Sequence, residues 1–169
     1  MGGSGHNYQL NSATVLRDVY RLACMVMADK AVMSSSETSD PLRELRNRFA
    51  EDELVHLLAA TAVANRIQLE HLSDLRADPA ELSFSTLLHC CGKLQPNVEK
   101  YEFEDLTFRE ACNKIVHATR IVAQTPGVPE ETPMGLTLTL RGEKQDKTWI
   151  AHLDVVEHAR ASVQNFENA

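Results

Sequence analysis

Arg109, Asn113 and His117 follow one another at intervals of four residues. They combine a guanidinium that can grip phosphate with two bonds, an amide that can orient a neighbour, and an imidazole that moves protons near neutral pH. If this segment is helical, about 100° per residue stacks all three on one face, opposite Phe108, Cys112, Ile115, Thr119 and Val122. Together the three would suit cleavage of an RNA phosphodiester. Lys114 and Arg120 on the same segment would add substrate contacts. The plainer reading of the same stripe is a solvated polar face.

Other groups carry less. Arg43, Arg46, Asn47 and Arg48, with His56 further on, form a basic stretch, but Glu44, Glu51, Asp52 and Glu53 lie among them and point to solvated pairing. His89-Cys90-Cys91 is dense in soft ligands, yet adjacent helical residues diverge by about 100° and no second Cys or His pair follows at zinc-site spacing. No metal or other cofactor is expected. His152, Glu157 and His158 lack the HExxH order and read as surface groups. Trp149, beside Ile150 and Leu153, reads as a core anchor.

The elements that position these residues follow from periodicity and caps. Asn11-Ser12 opens a helix bearing Val15, Val19, Leu22 and Val26, which fades into a serine-rich loop over 34–39. Asp40-Pro41 opens a second and longest helix with Leu42, Leu45, Phe49, Leu54, Leu57, Leu58 and Ala62 at helical spacing, reaching Leu69 or Leu72 and closed by Pro79. A short helix over Ser83 to Cys91 ends at Gly92, and Lys93 to Asp105 reads as loop with at most a short strand or turn. Thr107-Phe-Arg-Glu110 is a capping box that predicts a helix from Phe108 to about Ala123. Prolines 126, 129 and 133 exclude a regular element. Leu136 to Leu140 and Trp149 to Leu153 alternate as a β-hairpin around a polar turn at Arg141 to Lys147, and Asp154-Val-Val-Glu157 caps a final helix. The expected fold class is mainly α, a helical bundle with a small C-terminal antiparallel hairpin and a final helix. Residues 1–10 read as a tag-like or disordered start, and 11–169 as one domain.

Bulk properties agree. A chain of 169 residues can bury a core without disulfides or metals. A net charge of −7 opposes sequence-independent binding of polyanions, so any nucleic-acid contact must be local. The four cysteines show no paired spacing and read as free thiols of a cytoplasmic protein. No apolar run approaches a membrane span, and no membrane association is expected.

The segment Arg109-Glu-Ala-Cys-Asn113-Lys-Ile-Val-His117, late in a chain read as helical, resembles the motif of HEPN-type domains, with a longer Arg-to-His spacing than is usual there. The resemblance implies a metal-independent ribonuclease of a toxin or antiphage defence system, acting on RNA as a homodimer. It gives His117 the transfer of the proton and Arg109 the hold on phosphate, with Asn113 in support. The competing expectation is a non-catalytic module that docks a protein partner on the polar helix face or the hairpin edge.

Overall fold

The computed structural model describes residues 10–35, 39–75, 84–123 and 136–167. Along the chain these form α1 (Ser12–Ser35), α2 (Pro41–Leu75), the single turn α3 (Phe84–Leu87), β1 (Cys90–Gln95), β2 (Glu104–Thr107), α4 (Phe108–His117), β3 (Arg120–Val122), β4 (Thr137–Lys144), β5 (Lys147–Asp154) and α5 (Val155–Glu167). The serine-rich segment at 36–38, the chain around Pro79 and the proline-rich stretch at 126–133 lie outside the described residues.

The expectation of a mainly helical bundle with a lone hairpin is overturned. The hairpin is the centre of a five-stranded antiparallel sheet in the order β2-β1-β5-β4-β3, so the fold is mixed α/β. Two of its strands replace text read as helix: β1 takes the end of a helix thought to reach Cys91, and β3 the last turn of the helix thought to run to Ala123, while β2 begins in the stretch where at most a short strand or turn was expected. A two-stranded hairpin is marginal alone, and the flanking strands supply the partners it lacks.

The hairpin turn is tighter than the polar stretch suggested. Lys144 pairs with Lys147, and Gln145 and Asp146 between them have φ of 51° and 60°. Two successive residues at positive φ match the twist of the strands they join. At Gly92 the register of β1 slips, φ is +139°, and a Cβ would stand 1.9 Å from the His152 carbonyl oxygen. Only glycine permits that approach.

Caps set the helix starts. The Asn11 side chain accepts from the Thr14 amide at 3.2 Å, and the Asp40 carboxylate accepts from Leu42 at 2.7 Å. Thr107 accepts from the Glu110 amide at 3.4 Å, and Asp154 accepts from Val156 and Glu157 at 2.9 and 3.0 Å. Neither glutamate completes its box: Glu110 turns to Asn113 and Lys114, and Glu157 to His89 and Arg160.

One sheet face is apolar, with Cys91, Leu94, Leu106, Leu138, Leu140, Trp149, Ala151 and Leu153 buried. α4 and α5 pack on this side, and the α1–α2 pair packs on α4 and α5 in turn. Strand alternation puts Lys93, Gln95, Thr139, Arg141, Ile150 and His152 on the opposite face, half-buried or exposed. Among the described residues no helix is long and apolar enough to cross a membrane.

Candidate functional site

α4 keeps its predicted start because Thr107 caps it and because Phe108, Ala111, Cys112 and Ile115 recur on one buried face. It ends at His117, six residues short of expectation, with Ala118 at φ −67°, ψ 129°. The cause is a partner that periodicity does not reveal. Both the amide and the hydroxyl of Thr119 donate to the Arg141 carbonyl, at 2.8 and 3.2 Å, and steer the β-branched run Ile121-Val122 onto β4.

Arg109 and His117 are exposed and Asn113 is half-buried, so all three lie on the open side of α4. Eight residues of helix place Arg109 about 12 Å from His117 along the axis. Asn113 donates to Glu110 at 3.3 Å. The three side chains therefore line one surface strip and do not close on one reacting atom.

Lys114, expected to contact substrate, is 8 % exposed. Its Nζ lies 4.4 Å from the Trp149 ring centroid and 3.2 Å from Glu110. A buried ammonium held by a carboxylate and an indole face has its charge already met. Lys114 ties α4 to the sheet and is not free to bind.

Arg120 leaves the helix and enters β3, where it stands directly opposite Arg141 on β4. Both are exposed, and among the described residues neither belongs to an ion pair. Like charges facing each other across two strands are unfavourable unless an anion joins them. The His117 carbonyl is close by: a Cβ on Gly142 would stand 2.8 Å from it. Gly142 faces α4, so Arg141 beside it and Arg120 paired with Arg141 point to the opposite face of the sheet, and the two arginines form a cationic patch across the edge strand from the end of α4. Arg141 was read from sequence as a turn residue. Extending the alternation of Leu138 and Leu140 two residues further would have placed it on the strand, facing away from the core.

A second grouping was not legible. His89, just before β1, lies 2.9 Å from Glu157 at the start of α5, and Arg160 pairs with the same carboxylate. The His89 hydrogen bond, aided by Arg160, holds the Glu157 carboxyl below its ordinary range against the opposing effect of burial. A carboxylate that orients an imidazole can assist proton transfer, but the thiol of Cys91, two residues beyond His89, is no nucleophile. Cys91 is fully buried, and burial, with the nearby Cys90, Glu157 and Asp154, pushes its thiol up to about 12. Burial likewise raises the Cys112 thiol.

Among the described residues no three His, Cys, Asp or Glu side chains converge as a metal site would require. Comparison of the chain with family models, with curated proteins and with solved structures finds no match.

Proposed function

We propose that this protein binds RNA through the cationic patch that Arg120 and Arg141 form on the sheet face turned away from α4, with His117, three residues before Arg120 at the edge of the sheet, as the group able to transfer a proton. The observation that carries the reading is the direct cross-strand pairing of Arg120 with Arg141, both exposed and without a carboxylate among the described residues. A phosphodiester backbone would neutralise both and release its own counterions, which suits a local patch on a chain whose net charge is −7. Arg109, further along α4, extends the strip for a neighbouring phosphate. The toxin or defence setting implied by the HEPN resemblance belongs to the same proposal, and that resemblance now rests on α4 alone because the all-helical layout is gone. The hairpin-edge version of the protein-docking alternative loses ground: β4 is covered by β3 over Thr139 to Arg141, and β5 by β1 over Ile150 to Leu153.

The test uses fluorescently labelled single-stranded RNA at low salt, in EDTA, read for both anisotropy and cleavage. Replacing Arg120 and Arg141 together by Ala is expected to weaken binding at least tenfold. His117→Ala is expected to retain binding and lose any cleavage. Binding that is absent in the wild type, or unchanged in the double variant, sinks the reading and leaves protein docking on the α4 strip.

A further inference from the structure

α4 and α5 pack against the side of the sheet that buries Leu94, Leu140 and Ala151, and the residues alternating with these are half-buried or exposed. On that second face the register draws one straight row. Arg120 pairs with Arg141, Arg141 with Ile150, and Ile150 with Gln95. Continuing the pairing of Leu94 with Glu104 by one position sets Phe103 across from Gln95, at the other edge of the sheet. Four steps of about 4.8 Å put Phe103 about 19 Å from Arg120. Phe103 is 49 % exposed and Tyr101 93 %, and their rings meet edge to face at 5.3 Å. The segment that carries them is tied to the sheet: Gln95 Nε2 donates to the Lys100 carbonyl at 2.9 Å, and the Val98 amide donates to the Thr148 carbonyl at 3.0 Å.

The two ends of the row suit different parts of one ligand. At the arginine end two cations face each other and call for phosphate. At the aromatic end Glu102 and Glu104, both exposed, flank Phe103 and repel phosphate, while the rings offer the flat apolar surface on which a nucleobase stacks. We propose that the ligand is unpaired RNA laid across this face of the sheet, its phosphates on Arg120 and Arg141 and a base stacked on Phe103 and Tyr101; this rests on the RNA-binding reading of the arginine patch. Ile150, half-buried midway along the row, gives the intervening nucleotides apolar surface. A duplex cannot bind in this way, because its bases are stacked on one another and closed to the rings. Selection of single strands by stacking tolerates every base, so the face discriminates by strandedness and not by sequence.

The experiment is fluorescence anisotropy on the full chain, with a labelled unstructured RNA strand and with the same strand annealed to its complement, and circular dichroism to confirm folding. The wild type is expected to bind the single strand about tenfold more tightly than the duplex. Phe103→Ala together with Tyr101→Ala, both at exposed positions, is expected to weaken single-strand binding about tenfold while duplex affinity and the salt dependence stay as they are. Phe103→Trp, which keeps a stacking face, is expected to bind as the wild type does. A duplex bound as tightly as the single strand overturns the stacking, as does an aromatic variant that binds the single strand like the wild type or that alters the salt dependence. In those cases loss of affinity on replacing Arg120 and Arg141 by Ala keeps the arginine patch standing. Absence of binding by the wild type, or binding indifferent to both arginines, overturns the patch and the stacking together.

Discussion

His158 is fully buried on α5, its ring 5.4 Å from that of Phe108, and neither ring nitrogen has a hydrogen-bond partner among the described residues. Burial makes the charged imidazolium costly, and the folded chain holds this group down to about 4 against an ordinary 6.5. The sign follows from which state takes the proton. Above 6.5 the ring is neutral in both states and stability is unaffected. Between about 6.5 and 4 the unfolded chain binds a proton that the folded chain refuses, so stability falls with pH by about 1.4 kcal/mol per unit and by roughly 3 kcal/mol in all. His158→Leu should remove that loss, and urea unfolding at pH 7 and pH 4.5 measures it. An equal loss in the variant and the wild type would refute the assignment. Lys114 makes the contrasting case. It too is buried, yet Glu110 and the Trp149 ring meet its charge.

At the scale of the element, the contact of β4 with α4 decides where the proposed site lies. Gly142 sits under the Trp149 ring and beside the His117 carbonyl, and an added Cβ would stand 2.3 Å from Trp149 Cζ2 and 2.8 Å from that oxygen. Gly142→Ala must push the indole or the end of α4 outward. Overpacking of this kind costs about 1–3 kcal/mol, so the melting temperature should fall, and displacement of His117 should impair RNA cleavage more than RNA binding. A variant as stable as the wild type would show that the helix end and β4 are not tightly coupled.

For the whole molecule, charge is the controlling quantity. A protein of net charge −7 gains no general attraction to nucleic acid, so binding must come from few phosphate contacts and show a shallow salt dependence. Each arginine neutralising a phosphate on single-stranded RNA contributes about 0.7 to the slope of log affinity against log salt. Removing Arg120 and Arg141 together should reduce the magnitude of that slope by about 1.4. Titrations over a range of potassium chloride concentrations check this. An unchanged slope would place the phosphate contacts elsewhere.

The sequence by itself determined what depends on near neighbours. Caps at Asn11, Asp40, Thr107 and Asp154 set the starts of four helices, the spacing of Val15, Val19, Leu22 and Val26 set the buried face of α1, and the alternation around Trp149 showed the central hairpin. Tertiary structure decided what depends on distant partners. β1, with Cys90-Cys91-Gly92 at its start, alternates poorly, and β2 and β3 have four and three residues, so they become strands only because β5, β1 and β4 offer them hydrogen bonds. The same dependence ends α4 at His117, moves Arg120 onto a strand opposite Arg141, buries Lys114 and brings His89 to Glu157, 68 residues away in sequence. Local preference is read over one or two turns of chain, whereas these contacts are fixed by the folding of the sheet and by what then lies across from each residue.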